Sequence, residues 1–119
     1  MTPAAFEQMV ADALATIPGK YRARMKNVVL AVQDHPPQPG LLGLYEGRPL
    51  TERSTSDSFA LPDQITIYRL PHERMARNAQ HLRRIVTETL WHEIAHYFGL
   101  DEAQVLRAER ARTRRRYSR

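Results

Sequence analysis

Hydrophobic residues at the start of the chain recur every three or four positions, as on one face of an amphipathic helix. The pattern predicts a helix over residues 3–17, with an apolar stripe made of Phe6, Met9, Val10, Ala13, Leu14 and Ile17. Pro3 suits the first turn of this helix, and Pro18 followed by Gly19 ends it. No basic start precedes the apolar residues, so the segment is not expected to be a secretory signal.

Three later segments have the pattern of β-strands. Residues 27–33 are apolar and rich in β-branched side chains, which predicts a buried strand, and residues 41–47 predict a short strand ending in a turn. Residues 64–70 alternate apolar and polar side chains, so this strand is expected to have one exposed face. The prolines of residues 35–40 and the polar run of residues 48–63 predict loops.

The longest helical pattern follows these strands. Asn78 is a suitable cap for a helix that reaches Phe98, and Gly99 is the expected left-handed stop. The buried stripe of this helix is predicted to be Leu82, Ile85, Val86, Leu90, Ile94 and Phe98. A last helical stretch is expected over residues 103–112. The order helix, strand, short strand, strand, long helix and C-terminal helix predicts a single α+β domain.

Residues 91–102, W-H-E-I-A-H-Y-F-G-L-D-E, place chemistry on the last turns of the long helix. His92 and His96 are four residues apart, so they project from one face and can direct ring nitrogens at a Zn²⁺ ion about 2.0–2.1 Å away. Glu93 is rotated by about 100° from His92, which lets its carboxylate act on a zinc-bound water as a general base without being a ligand. The competing interpretation is an ordinary helix with two core or surface histidines.

A catalytic zinc site needs a third protein ligand and one open position. After Gly99 the chain can reverse beneath the helix end, which makes Glu102, six residues after His96, the first candidate. Asp101 is the alternative and needs a different turn. Glu109 can reach the metal only if a second helix folds back, and water or a residue of a partner is a further alternative.

The composition is that of a small globular protein. A chain of 119 residues, with 42% hydrophobic and 26% charged residues, is long enough for one modest core. No apolar run approaches the roughly 20 residues that cross a membrane, so no membrane partner is expected. The absence of cysteine excludes disulfides, thiolate zinc ligands and cysteine nucleophiles, and it makes the cytoplasm the default location.

The net charge of +5 is concentrated at the C-terminus. Residues 107–119 hold seven arginines and one glutamate, a net +6, which leaves the rest of the chain at −1. We therefore divide the sequence into a domain over residues 1–106 and an arginine-rich tail over residues 107–119. Such a tail can bind the phosphates of nucleic acid, although a solvated, frayed terminus is the interpretation that we favour.

The motif H-E-I-A-H-Y-F-G-L-D-E at residues 92–102 resembles the zincin metallopeptidases, and its glycine spacing is similar to that of the metzincin branch. Together with L-G-L-Y-E-G-R-P-L-T-E-R at residues 42–53 and P-D-Q-I-T-I-Y-R at residues 62–69, it makes residues 5–106 resemble the small bacterial minimal zincin family. The resemblance implies an α+β fold in which a small mixed sheet backs the motif helix. It also implies a zinc ion and a peptide or protein substrate.

Three departures from the larger metzincins bear on activity. The third motif position is acidic where most of them have histidine, no methionine follows the motif, and the seventeen residues after Glu102 are too few for a lower subdomain. Zinc binding by His92, His96 and Glu102 is therefore better supported than efficient proteolysis with Glu93 as the base. The alternatives are a zinc-binding interaction module with little catalysis and a nucleic-acid-associated protein that acts through its tail. The sequence makes no prediction of the oligomeric state.

Four residues outside the motif are weaker candidates. Glu88, one turn before His92, can accept the second ring N–H of that histidine, or it faces solvent. Tyr68, Arg69 and His72 come at the end of the strand before the helix. In zincins the corresponding strand is the rim of the substrate cleft, so these three are candidates to stabilise an oxyanion, with plain surface positions as the favoured interpretation.

Overall fold

A computed structural model of the chain describes residues 1–47 and 62–101, together with residues 103, 104, 107, 110 and 111. Its helices and strands are α1 (Pro3–Ala15), α2 (Gly19–Arg22), β1 (Val28–Gln33), β2 (Gly43–Glu46), β3 (Asp63–Tyr68), α3 (Arg69–Met75) and α4 (Ala79–Tyr97). The predicted α+β class is confirmed, as are the positions of the three strands and the two long helices. The predicted burial of two strands was wrong, because no residue of β1 is fully buried and β3, which was expected to have an exposed face, is buried at all positions but one.

The three strands form one mixed sheet in the order β1-β3-β2. β1 runs parallel to β3, with Val28 opposite Asp63, and β2 runs antiparallel to β3, with Gly43 opposite Ile67. The strand before the long helix, β3, is thus paired along both edges and cannot receive an extended substrate. The prediction that β3 forms the rim of a substrate cleft was therefore wrong. Within the described part of the chain, the edge strand that packs against α4 is β2.

The hydrophobic core lies between the sheet and the helices α1 and α4. Ile65 and Ile67 are two residues apart on β3, so they face the same side of the sheet, and both are fully buried. They meet a cluster of buried side chains from the two helices, which includes Phe6, Val10, Ile85, Val86, Leu90 and Ile94. Full burial of each large aliphatic side chain contributes about 1.5–3 kcal/mol, so the stripe fixes which side of α4 faces the sheet.

Helix α4 begins and ends at its caps. The Asn78 side chain accepts a hydrogen bond from the backbone N–H three residues later at 2.8 Å, which satisfies a donor that has no helical partner. Gly99 has a φ of +85°, and the N–H groups of Gly99 and Leu100 donate to the carbonyls of His96 and Ala95 at 2.9 and 3.1 Å. This Schellman arrangement confirms the predicted stop and sets the chain direction directly after α4.

The segment between β3 and α4 differs from the prediction. Strand β3 ends at Tyr68, and Arg69–Met75 form a short helix that the sequence pattern did not reveal. Pro71 is tolerated because it stands in the first turn of α3, where backbone N–H groups have no helical partner. The proline therefore lies inside the first turn of α3.

Some predictions concern residues that lie outside the described ranges. Residues 48–61 of the predicted loop and most of the arginine-rich tail are among them, so the division at residue 106 stays a prediction. The described residues between 103 and 111 are helical, as expected for the C-terminal stretch. In the described part of the chain, no helix has the length and apolar character needed to cross a membrane.

Candidate metal centre

His92 and His96 lie side by side on the last turns of α4. Their ring centres are 4.9 Å apart, with the ring planes inclined at 64°, and both residues are half-buried. A tetrahedral zinc bonded to one nitrogen of each ring at about 2.0–2.1 Å holds the two ring centres about 5 Å apart. The observed separation fits a shared zinc ion, and the assignment of the two histidines as ligands stays a prediction.

Glu93 lies on another side of α4, against the sheet. The side chain is buried, with 7% of its surface exposed, and its Cγ is 3.2 Å from the point where a Cβ on Gly43 would stand. The turn of about 100° per residue thus separates the histidine pair from an acid that borders the edge strand. This is the placement expected of a carboxylate that acts beside a metal without ligating it.

Strand β2 approaches α4 so closely that its first residue must be glycine. A Cβ on Gly43 would lie 2.7 Å from the methyl group of Thr89 and 3.3 Å from the carbonyl oxygen of Thr66. Contacts of a Cβ below 3.0 Å essentially never occur, so something would have to shift. The sequence analysis missed this role of Gly43, although a glycine inside an apolar strand is a known sign of close backbone approach.

The other end of β2 is held by a buried acid. The Tyr45 hydroxyl donates to Asp63 Oδ2 at 2.6 Å, and the Tyr45 ring packs edge-on against Tyr97 of α4, with centres 6.3 Å apart. Gly47 has a φ of +151°, and a Cβ there would lie 2.5 Å from Asp63 Cγ. Together with the contact at Gly43, these interactions fix β2 along α4.

A groove of about 360 Å³ adjoins the motif. Its apolar wall comprises Leu41 and Leu42 before β2, Met75 at the end of α3, and Ile85 of α4. Polar groups of α4 also line it, and these are Glu88, Thr89, His92 and Glu93. The volume is near the lower end of the range of about 300–1,000 Å³ that is typical of small-molecule sites.

Asp101, the alternative third ligand, has a structural role. Its Oδ1 accepts the backbone N–H of Gln104 at 2.8 Å, and Gln104 Oε1 accepts the N–H of Asp101 at 2.8 Å, which is a reciprocal capping box. Glu102 and Glu109 lie outside the described residues. Among the residues that the structure does describe, no three His, Asp or Glu side chains are grouped so as to hold a metal. Glu102 stays the predicted third ligand.

His72 is enclosed and does not face a substrate cleft. It has no exposed surface, its Nδ1–H donates to the Tyr68 carbonyl at 2.7 Å, and its Nε2 lies 2.9 Å from Thr89 Oγ1. Burial lowers the pKa of His72, so near neutral pH the ring is uncharged. The one proton of the Thr89 hydroxyl is then shared between His72 Nε2 at 2.9 Å and the Ile85 carbonyl at 2.8 Å. The candidate oxyanion role was wrong because both ring nitrogens lie against protein oxygen atoms, and the favoured surface position was wrong because His72 is fully buried.

Arg69 is likewise part of the scaffold. Its guanidinium donates to Asp34 Oδ1 at 2.7 Å, to the Met1 carbonyl at 3.0 Å and to Glu73 Oε2 at 3.2 Å. The hydrogen bond to Asp34 raises the pKa of Arg69 and lowers the pKa of Asp34. Arg69 thus ties together the start of the chain, the turn after β1 and helix α3, so its predicted oxyanion role was also wrong.

Tyr68 and Glu88 are the other two candidates outside the motif. Burial raises the pKa of Tyr68, and the negative charges of Glu46 and Glu93 raise it further, so its hydroxyl stays protonated and Tyr68 stays a candidate donor. Glu88 is about half exposed and pairs with Arg84, with Oε1 4.0 Å from Nε. The interpretation of Glu88 as a solvent-facing residue therefore fits better than a hydrogen bond to His92.

A sequence model of the zincin-like metallopeptidase family matches residues 23–111. The match spans all three strands, the groove and the whole of α4. This chain belongs to the zincin-like metallopeptidase family. The resemblance found in the sequence is thereby confirmed, and membership implies that the zincin-like chain binds zinc.

The zincin-like chain also resembles a solved structure, a conserved hypothetical protein from Thermus thermophilus. The two are 25% identical with a TM-score of 0.58, and the likeness covers 82% of this chain and 94% of that chain. The likeness therefore extends over almost the whole of a similarly small protein, and that protein's description names no activity. No curated protein matches the zincin-like chain.

Proposed function

We propose that this protein is a zinc-dependent peptidase that hydrolyses peptide bonds in short or unfolded chains. The observation that carries the proposal is the arrangement on α4. His92 and His96 lie with ring centres 4.9 Å apart, and the buried Glu93 borders the groove that His92 also lines. Membership of the zincin-like metallopeptidase family supports it independently of this geometry.

His92, His96 and Glu102 would hold the zinc ion, with Asp101 as the weaker alternative to Glu102. Two imidazoles and one carboxylate are a donor set of known catalytic zinc sites, which keep one coordination position open. When bound, zinc supplies a Lewis acid that polarises the substrate carbonyl and lowers the pKa of water towards neutrality. The capping bonds of Asp101 with Gln104 favour Glu102 as the third donor.

Glu93 would act as the general base and then as the general acid. Its carboxylate accepts a proton from the attacking water while the water oxygen forms a bond to the carbonyl carbon. It then donates that proton to the amide nitrogen as the C–N bond breaks. The carboxylate is regenerated, and the products are a carboxylic acid and an amine.

Among the strands that the structure describes, β2 lies at the edge of the sheet, and its outer side offers a place for the substrate backbone. The N–H of Tyr68 donates to the carbonyl of Leu42 at 3.0 Å, so these two residues are a hydrogen-bonded pair of the antiparallel ladder. The next residue, Gly43, then directs its N–H and C=O away from β3. An extended peptide that adds to this edge pairs with the strand whose Gly43 packs against Glu93.

The decisive experiment compares wild type with Glu93→Gln, in zinc content and in cleavage of a mixed peptide library. We expect about equal zinc in both proteins and a turnover that is about 10²–10⁴-fold lower in the variant, the usual contribution of a positioned base. Glu7→Gln, on the exposed side of α1, is the matched control and should cleave like wild type.

Two results would contradict the proposal. If Glu93→Gln cleaves as fast as wild type, Glu93 is not the base. If neither protein cleaves the library above background while both hold zinc, the chain is a zinc-binding interaction module.

A further inference from the structure

A second, smaller pocket of about 160 Å³ opens between α1, α2 and the core-facing side of β1. Its floor is formed by Ile65 of β3 and Leu90 of α4, which are both fully buried. Its walls include Leu14 of α1 with Val28 and Leu30 of β1, and these three side chains are half-buried. The described residues that line this pocket all differ from those that line the groove beside the motif, so the two are separate sites.

The pocket exists because the helices cover β3 more completely than β1. Leu30 lies opposite Ile65 in the parallel pair, so both side chains face the core side of the sheet. Ile65 is fully buried, whereas no residue of β1 is, which leaves an apolar recess beside β1. An apolar cavity of about 150 Å³ lined by such side chains stays free of water and holds a molecule the size of benzene. The recess therefore fits one ring or one short branched chain.

Arg22 supplies the one charged side chain among the described residues that line this pocket. Its Nε–H donates to the Ile17 carbonyl at 2.8 Å, which holds the guanidinium beside the end of α1. In the described part of the chain, no carboxylate forms an ion pair with Arg22. Its remaining N–H groups are therefore available to a ligand, and a planar guanidinium binds a carboxylate through two parallel hydrogen bonds.

The surroundings of Arg22 are basic as well. Residues 20–26, K-Y-R-A-R-M-K, contain four basic side chains and no acidic one. Arg24 and Lys26 are exposed, and within the described residues neither forms an ion pair with a carboxylate. A cluster of one sign of charge attracts ligands of the opposite sign and repels cations.

We propose that this pocket binds a small monocarboxylate whose apolar part is a single ring or a short branched chain. The apolar part lies in the recess between Leu14, Leu30 and Leu90, and the carboxylate pairs with Arg22. An uncharged analogue binds more weakly because it lacks the charge-assisted hydrogen bonds, and an amine is repelled by the basic side chains. The site does not depend on the proposed peptidase function.

The methionines provide a test of where such an acid binds. Met25 lines the pocket, Met75 lines the groove beside the motif, and Met9 is buried in the core. Zinc-loaded protein with ¹³C-labelled methionine methyl groups is titrated with phenylacetate. We expect the Met25 signal to move with a dissociation constant on the order of 1 mM, while those of Met9 and Met75 stay in place. If the Met75 signal moves and the Met25 signal does not, the acid binds beside the motif and the inference is wrong.

Two variants separate the charge from the recess. Arg22→Gln should weaken binding of phenylacetate about three- to tenfold and leave binding of phenylacetamide unchanged. Arg24→Gln makes the same change of net charge outside the pocket and should alter neither. Leu14→Phe narrows the recess, so it should weaken binding of both compounds, and an unmoved Met9 signal shows that the core is intact.

Three results would overturn the inference. Equal affinity of wild type for phenylacetate and phenylacetamide would show that Arg22 does not select a carboxylate. Equal losses in Arg22→Gln and Arg24→Gln would reduce the effect to general attraction of anions. Tighter binding of N-acetylphenylalanine than of phenylacetate would assign the pocket to the C-terminal end of a peptide instead of a free acid.

Discussion

His72 and the pair His92 and His96 represent two uses of histidine in one small fold. His72 is fully enclosed, with its two ring nitrogens 2.7 and 2.9 Å from protein oxygen atoms. The rings of His92 and His96 are half-buried and stand 4.9 Å apart beside a groove. A histidine in the core uses both nitrogens to satisfy buried groups, whereas a metal ligand must keep one nitrogen directed at the ion. Motif spacing on the helix predicts the use of His92 and His96 as metal ligands, and burial with two hydrogen-bonded ring nitrogens shows the structural use of His72.

His72 is connected through Thr89 to the glycine that borders Glu93 of the motif. The Thr89 hydroxyl binds His72, and its methyl group lies against Gly43, which also borders Glu93. His72 is therefore part of the packing that sets the distance between the edge strand and the motif helix, although it does not itself reach the groove.

The largest difference between variants of the two kinds of histidine is expected in zinc content. His96→Ala removes a predicted ligand, so its zinc content should fall from about one ion per chain to almost none. His72→Ala should keep its zinc as long as the protein is folded. Metal analysis of purified, chelator-free protein checks both variants, and equal zinc in His96→Ala and wild type would show that this histidine is not a ligand.

The order of the two variants should be reversed for stability, with the larger effect in His72→Ala. His72→Ala leaves a buried cavity and removes the ring that binds the Tyr68 carbonyl, while the Thr89 hydroxyl keeps the Ile85 carbonyl as a partner. The free energy of unfolding should therefore fall by about 2–4 kcal/mol, mainly because of the cavity. In metal-free protein, His96→Ala should change it by less than about 1 kcal/mol. His35→Ala, at an exposed position, is the control in urea titrations. If His72→Ala leaves the free energy of unfolding unchanged, His72 does not support the fold.

The sequence predicted those parts of the fold that depend on local pattern. The caps at Asn78 and Gly99 were recognised because a cap is a contact within a few residues of the chain. The order of the sheet and the role of β2 as its edge were not, because strand pairing depends on contacts between distant segments. For the same reason, nothing in the sequence around His72 indicates that Thr89, seventeen residues later, is its partner.

A smaller effect on stability is expected from a substitution at Gly43, which tests how tightly β2 packs against α4. Gly43→Ala places a Cβ 2.7 Å from the Thr89 methyl, which cannot easily move because the Thr89 hydroxyl binds His72. The free energy of unfolding should fall by about 1–3 kcal/mol, as in other overpacked cores.

The matched partner variant is Thr89→Ser, which removes that methyl group and keeps the hydroxyl. Combined with Gly43→Ala, it should recover part of the lost stability, since the contacts with Glu93 at 3.2 Å and Thr66 at 3.3 Å persist. Chemical denaturation of the two single variants and the double variant measures the coupling. If the two effects simply add, the methyl group is not what excludes a Cβ at Gly43.

The smallest effect is the pH dependence of stability, and it isolates His72 from the motif histidines. Burial lowers the pKa of His72 in the folded protein, whereas the unfolded chain has the ordinary value of about 6.5. Between these two pKa values the unfolded state binds a proton that the folded state does not. The contribution of His72 to stability is therefore fully present above about pH 6.5 and is lost as the pH falls below it. One titrating group can contribute a slope of at most about 1.4 kcal/mol per pH unit. His72→Gln removes the titrating ring, so its stability should fall less steeply than that of wild type between pH 6.5 and 5.

Both proteins should be stripped of metal, because zinc on His92 and His96 would add its own pH dependence. Parallel slopes in urea titrations would show that His72 does not titrate with a lowered pKa.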